Sequence, residues 1–333
     1  MQRFFLMLFC LCFLNQVQAI DLSQIKILSA EQLNYKDGDS ILVGNVKVQL
    51  MNYIIEAPRA FIDADANGNP FQARFLDDVH LNSEKLHIDA PEMRIDLNQH
   101  LFKCYANDST LITTTIDDDK QKQAKIMTWY QEYNYETGFA RATNKTALFD
   151  ANQDKADYKK DLKQIIFLYD QFEIDANTIE LQLNQSKVAY ALFIGDAVAV
   201  NDKQRTEAQE IYFFPDEDLI KAQNDVRIVY ADKQDPAYVF ADTVILEKQK
   251  NILSAFSNQN KANAQIFRAN AFSQARQIIL NLDKEQNPDN AILTGMAYSQ
   301  VGDKALSGHE LLFDIKNQNI KTLVKRPKTL LFN

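Results

Sequence analysis

Glycine is nearly missing from this chain. Eight residues in 333 leave little material for Gly-rich loops that cradle phosphates, and no G-x-S-x-G elbow occurs. Proline is as sparse, at seven, and no stretch has the Pro/Gly/Ser composition of a true linker. Cysteine occurs three times, but Cys10 and Cys12 fall in the N-terminal stretch. Cys104 alone is left to the body of the chain, so no internal disulfide framework is expected. Positive charge is also in deficit: 36 Lys and Arg against 45 Asp and Glu give −9, with the acids scattered. That balance excludes nucleic acid as a partner, because phosphate binding needs a concentrated basic surface. His80, His87, His100 and His309 are too dispersed for a zinc pattern, and the carboxylates show no acid–base spacing. No metal, cofactor or catalytic residue is expected. The chain does not read as an enzyme.

What is present begins with a leader. Arg3 supplies a positive start, Phe4 to Leu14 are apolar, and Val17-Gln18-Ala19 puts a small residue at a cleavage position. The apolar run is far shorter than the roughly 20 residues of a spanning helix. Cys10 and Cys12 follow Phe9 and Leu11, whereas a lipidated cysteine normally follows a small residue. Residues 1–19 are therefore expected to be a cleavable signal peptide, with an exported chain starting near Ile20. At the other end Lys321, Lys325, Arg326 and Lys328 collect. They read first as a solubilising end and second as a contact for an anionic partner.

The body repeats. Aligning on a small residue two places after an apolar one gives Ile55-x-Ala57, Ile88-x-Ala90, Ile174-x-Ala176, Thr206-x-Ala208, Val239-x-Ala241 and Phe267-x-Ala269. Steps of 33, 32 and 33 residues separate Ala57 from Ala90, Ala176 from Ala208, and Ala208 from Ala241. Ala142 is a candidate opening for another unit, and the later steps are irregular: 28 residues to Ala269 and 38 more to Ser307. Three and five places after the small residue come Ala60 and Ile62, Met93 and Ile95, Ile179 and Leu181, Ile211 and Phe213, then Val244 and Leu246. Leu311 and Phe313 close the series when it is aligned on Gly308.

Parity makes this pattern informative. Positions −2 and 0 share one face of a strand, but +3 and +5 fall on the other face of a straight strand. Keeping all four in one core requires a bulge or bend between 0 and +3, where Pro58 and Pro91 sit and a ladder hydrogen bond can be spared. Turn-like pairs lead into the preceding strands at Gly44-Asn45-Val46, Asp77-Asp78-Val79, Asp196-Ala197-Val198 and Asn224-Asp225-Val226. About three short strands per unit imply roughly two dozen, and two sheets of that many would stack to roughly 60 Å. The expected fold is all-β, an elongated roll of bent strands. One domain over 20–333 is preferred to two fused halves meeting near 105–125. The charged stretch Asp117–Gln123 and the polar stretch Asn152–Lys163 interrupt the pattern.

Smaller signals reduce to structure. Asp63-Ala64-Asp65-Ala66-Asn67-Gly68 starts like a calcium loop, but its twelfth position is Arg74 and strands flank it, so Asn67-Gly68 reads as a hairpin turn. Cys104 reads as a small hydrophobe. Asn107-Asp108-Ser109, Asn144-Lys145-Thr146 and Asn184-Gln185-Ser186 fit the glycosylation sequon, which matters only in a eukaryotic source.

Ile27-Leu28-Ser29-Ala30-Glu31-x-Leu33-x-Tyr35, then Leu42-Val43-Gly44-Asn45-Val46-Lys47-Val48, then Ile55-Glu56-Ala57 resemble the OstA-like repeat of LptA-like lipopolysaccharide-transport proteins. Ala208 to Phe213 and Gly308 to Asp314 repeat the latter part more weakly. The match is good over 27–96 and degenerate beyond. The resemblance implies a V-shaped β-jelly roll in the periplasm that holds acyl chains of lipopolysaccharide or another acylated glycolipid in an apolar groove. It also implies end-to-end stacking, with further copies and with inner-membrane and outer-membrane transport components, by edge-strand pairing. Groove-lining positions carried over from the repeat are Val46, Val48, Ile55, Ala57, Ile62, Ile88 and Ile95. In the later units they are Ile179, Leu181, Ile211, Phe213, Val244, Leu246, Leu311 and Phe313. The chain departs from the family in being about twice the length of a short bridge protein and in lacking a following barrel. A structural envelope or adhesin module with a packed core is the alternative. A carbohydrate-active β-solenoid enzyme fits less well, since it needs shorter rungs and clustered acids.

Overall fold

The computed structural model describes residues 20–323, apart from 23–24, 37–38, 118–122, 145–164, 185–186, 231–235 and 259–261. The expected signal peptide, the stretch Asn152–Lys163, most of Asp117–Gln123, the basic residues Lys325, Arg326 and Lys328, and parts of the second and third sequons lie outside the described residues. The chain forms two compact units. The first runs to Ile165 and takes in Leu183–Lys187; the second comprises Ile166–Gln182 and continues from Val188.

The fold is all-β, as the alternation requires. The first unit carries β1 (Ile20–Leu22), β2 (Ile25–Ser29), β3 (Gln32–Lys36), β4 (Asp39–Leu50), β5 (Tyr53–Ala64), β6 (Pro70–Asn82) and β7 (Leu86–Asp96). Shorter strands follow: β8 (Leu101–Tyr105), β9 (Ile112–Asp117), β10 (Gln123–Thr128), β11 (Tyr130–Asn134) and β12 (Phe139–Thr143). Next come β13 (Ile165–Tyr169), β14 (Phe172–Ala176), β15 (Thr178–Asn184), β16 (Lys187–Val200), β17 (Gln204–Phe214), β18 (Leu219–Tyr230) and β19 (Ala237–Glu247). The last are β20 (Ile252–Phe256), β21 (Ala264–Arg268), β22 (Ala271–Ala275), β23 (Gln277–Leu282), β24 (Pro288–Val301), β25 (Lys304–Asp314) and β26 (Asn319–Thr322). Long strands pair antiparallel with their sequence neighbours, as in β4–β5, β5–β6 and β6–β7, and β16 through β19.

Each long strand is two short strands joined at a bend, and the bends align across the sheet. In the first unit the register slips between Val43 and Val46, Glu56 and Arg59, and Leu76 and Val79. On β4 and β6 two residues, Gly44-Asn45 and Asp77-Asp78, sit at positive φ opposite a single residue of the neighbour. Those single residues are Pro58 on β5 and Pro91 on β7, where no ladder N–H is demanded. The same device recurs in the second unit at Gly195-Asp196, Asn224-Asp225 and Gly295-Met296. The expected parity switch is therefore present, with the extra residue on the partner strand. On β5, Ile55, Ala57, Ala60 and Ile62 are all buried while Pro58 and Arg59 face out.

Where the left-handed pair begins with glycine, the reason is a neighbour. Glu31 lies between β2 and β3 and donates its N–H toward Val43 and Gly44 carbonyls, so its side chain closes over Gly44 and leaves no room for a Cβ. Asn177, between β14 and β15, does the same over Gly195. At Asp77 and Asn224, flanked by continuous strands on both sides, short polar side chains tolerate the conformation instead.

The two segments of every bent strand form two arms. Arm A of the first unit contains β2, Val46–Leu50, Tyr53–Ala57, Val79–Asn82, Leu86–Ala90, β9 and β10. Arm B contains β3, the other segments, β8, β11 and β12. Beyond β7 the next strand is broken at the bend, leaving β8 on arm B and β9 on arm A. Beyond β19 the second unit does the same, with β20 on arm B and β21 on arm A. The units thus share one grammar.

Three readings of the sequence are corrected here. The unit aligned on Phe267-x-Ala269 is misphased: Ala269 is exposed at positive φ in the β21–β22 turn. Its true bend follows Ser273-x-Ala275, which restores steps of 34 and 33 residues to Gly308. The pair read as Asp196-Ala197 is Gly195-Asp196, one place earlier, with Ala197 buried opposite Ala208. Ala142 lies within β12, and the nearby bend is at Trp129, between β10 and β11.

Candidate functional site: the interior between the arms

The inner faces of the two arms meet. In the first unit Tyr53, at the outer end of arm A, packs edge-on against Phe102 of arm B at 5.2 Å and donates or accepts a 3.0 Å hydrogen bond with Tyr133. Phe102 also stacks on Tyr133 at 6.1 Å and touches Tyr135 at 4.9 Å. In the second unit Phe167 reaches Phe193 at 5.1 Å and Tyr169 reaches Phe213 at 5.1 Å. These aromatic clusters fill the space that alternation and bending enclose.

All fifteen positions carried over from the repeat face these interiors, none more than 6 % exposed. Val46, Val48, Ile55, Ala57 and Ile88 belong to arm A of the first unit, and Ile62 and Ile95 to its arm B. In the second unit the geometry is one-sided. Ile179 and Leu181 lie beyond the bend at Asn177, and Ile211, Phe213, Val244, Leu246, Leu311 and Phe313 all line arm B. The groove-lining positions carried over from the repeat left out the inner face of arm A there, although Thr206 and Val239 stand in the alignment. Its central row runs Thr206, Ile228, Val239, Ile266, Ser273, Ser299, each opposite the next. Ser273 and Ser299 are fully buried and share a 2.7 Å hydroxyl–hydroxyl hydrogen bond. Ser273 stands where an apolar residue was sought, which is why the alignment passed over its unit.

The outer side of the bend is polar. A cleft of about 580 Å³ along the first unit's bend is lined by Glu31, Asn45, Lys47, Glu56, Asp78 and His80, among others. Lys47 pairs with Glu56 at 2.6 Å, Arg74 with Glu92 at 3.0 Å, and Arg59 with Asp77. The Asp77 carboxyl is held below its usual range by that Arg59 hydrogen bond. Such exposed pairs contribute at most about 1 kcal/mol each. His80 contacts Asp89 at 2.7 Å, and the hydrogen bond raises its pKa.

The remaining sequence candidates are structural. Asp65 accepts the N–H groups of Asn67 and Asn69 at 2.9 and 2.8 Å, and these bonds hold its carboxyl below the usual range. Asp283 repeats the arrangement with Glu285 and Asn287, both at 2.9 Å. The calcium-like stretch is one of two such turns. Cys104 is buried, and desolvation pushes its thiol up to about 12. Among the described residues no group of His, Cys, Asp and Glu is arranged to hold a metal ion, and no helix is long and apolar enough to cross a membrane.

Comparison with protein-family models and with curated proteins returns no match. Among solved structures the chain is similar to LptH, the LptA-homologous periplasmic component of the conserved lipopolysaccharide transport device of Pseudomonas aeruginosa. Identity is 11 %, the TM-score is 0.31, and the match covers 46 % of this chain and 94 % of that one. A likeness that slight decides nothing about function.

Proposed function

We propose that this protein is a periplasmic, non-enzymatic carrier of lipopolysaccharide or a related acylated glycolipid. It is exported by residues 1–19, and its acyl-binding surface is the interior between the arms. The observation that carries the reading is convergence: residues scattered from Val46 to Phe313 at repeat spacing all turn into apolar interiors, behind bends that fold one sheet face onto another. The OstA-like pattern over residues 27–96 supports it independently. Transfer is passive, each buried methylene being worth about 0.8 kcal/mol, so direction comes from partners that hold energy. Edges are available for such partners. Among the described residues β3 pairs on one side only, and Lys304–Gly308 of β25 has β24 on one side while β26 covers only Leu311–Asp314. Pairing there joins further copies or inner-membrane and outer-membrane components.

The test is a photo-crosslinking residue at Ile62 and, separately, at Phe213, in bacteria that make lipopolysaccharide. Adducts of lipopolysaccharide are expected at both. Their absence there and at several other inner positions sinks the carrier reading. One observation favours a second reading, a structural envelope module: Tyr53, Phe102 and Tyr133 already fill the first interior. In that case the crosslinks stay within the chain.

A further inference from the structure

The outer end of arm A in the second unit carries an anomaly. Tyr230 is 3 % exposed, and among the described residues its hydroxyl has no hydrogen-bond partner. A buried, unpaired hydroxyl costs about 1–3 kcal/mol, so its retention calls for an acceptor. The residues in line with it are chemically consistent. Register places Gln204, Tyr230, Ala237, Arg268 and Ala271 directly opposite one another in succession, with Lys304 further along the same row. Arg268 follows Ala264 and Ile266, both fully buried, at the same parity of β21, which sets it on the inner face at the rim. Ala237 and Ala271 flank it with minimal bulk. Tyr230 and Arg268 are two strand spacings apart, about 10 Å between backbones, a gap that two long side chains span from either side of an alanine. One row deeper, Ser273 and Ser299 satisfy each other. Tyr230 is the member left unsatisfied.

The first unit has no such rim. Its equivalents, counted from the bend, are Tyr53, Ser83, Leu86, Ile116 and Ala124; the hydroxyl of Tyr53 is taken by Tyr133, and that of Ser83 donates to the Leu86 carbonyl at 3.2 Å. A row that joins an unpaired hydroxyl to an arginine occurs, among the described residues, in the second unit.

We propose that this rim is a headgroup subsite: Tyr230, with Gln204 and Arg268, holds a phosphate oxygen of an acylated, anionic amphiphile whose chains enter the interior beside it. Burial raises the ionisation of Tyr230 far above its ordinary value, so the group is an O–H donor at any neutral pH. Arg268 supplies charge, and the charge-assisted bonds to a phosphate are the strong kind. The inference rests on the carrier reading and narrows it, assigning the polar end of the ligand to the second unit.

Isothermal titration of the mature chain with three probes tests it: dioctanoyl phosphatidic acid, dioctanoylglycerol lacking the phosphate, and inorganic phosphate. Phosphatidic acid is expected to bind more tightly than the glyceride. Tyr230→Phe and Arg268→Gln should each weaken phosphatidic acid about tenfold, equivalent to 1.4 kcal/mol, and leave the glyceride unchanged. Inorganic phosphate should bind far more weakly, since the apolar interior contributes nothing to it. Unchanged phosphatidic acid affinity in both variants overturns the subsite, as does inorganic phosphate binding equally well. If the two lipids bind the native chain equally, the subsite fails and the carrier survives. If neither lipid binds, both fail. Tyr230→Phe keeps the ring, so an unaltered thermal midpoint certifies that any loss of binding is not unfolding.

Discussion

The two units bend at equivalent places but finish their arms differently. In the first, the outer end of arm A is largely apolar and its hydroxyls are matched, Tyr53 across the interior by Tyr133 and Ser83 by the Leu86 carbonyl. In the second, Gln204, Tyr230 and Arg268 replace that rim, and the hydroxyl is unmatched. The bend is a backbone device that needs only a left-handed pair opposite a single residue left out of the ladder, so repetition preserves it. The rim is a side-chain choice free to vary. The lesson is that architecture here is carried by the repeat and specificity by departures from it.

The largest expected effect strikes the packing on which the first unit's closure depends. Phe102→Ala removes a ring in contact with Tyr53, Tyr133 and Tyr135. It should cost about 4 kcal/mol, near the upper part of the range for large-to-small core changes. Phe193→Ala in the second unit loses the contact with Phe167 and should cost about 3 kcal/mol. Urea unfolding with a probe in each unit measures both. Equal losses would show that the first interior is no more tightly closed than the second.

A smaller effect divides the units by sign. Tyr53→Phe strands the Tyr133 hydroxyl and should destabilise by about 1 kcal/mol. Tyr230→Phe removes an unmatched hydroxyl and, without ligand, should be neutral or stabilising by up to about 1 kcal/mol. Thermal midpoints of the two variants, compared with the native chain, decide it. A loss of stability in Tyr230→Phe would mean that the hydroxyl has a partner in the free protein, and the contrast between the rims would collapse.

How much of this was legible in the chain follows from what each feature depends on. The bend was readable at Ala57-Pro58 and Ala90-Pro91 because parity and proline mark the same place. It was misread near Ala269 because a turn alanine imitates the repeat, while the true unit carries Ser273 where an apolar residue was expected. Trp129 went unseen as a bend because Thr128 takes the alanine position. The burial of the fifteen positions was legible because alternation on each side of the bend sends them inward. The polar rim was not: Gln204, Tyr230 and Arg268 lie on three strands, and only register brings them into line. No spacing in the sequence announces it.

The smallest effect separates the units by pH. His80 donates to the Asp89 carboxylate at 2.7 Å, lies 3.5 Å from Asp78, and stands opposite Glu56, itself paired with Lys47. The hydrogen bond to Asp89 outweighs the opposing effect of burial and raises the pKa above its ordinary value near 6.5. The protonated ring therefore favours the folded state. Its contribution is complete below the unfolded value and disappears as pH rises through the folded one. With the side chain 43 % exposed, screening limits the loss to a few tenths of a kcal/mol. The first unit's unfolding midpoint should thus fall slightly between about pH 6 and pH 8, and His80→Asn should remove most of the slope. A slope of the same size in His80→Asn would show that the His80–Asp89 pair is not its source.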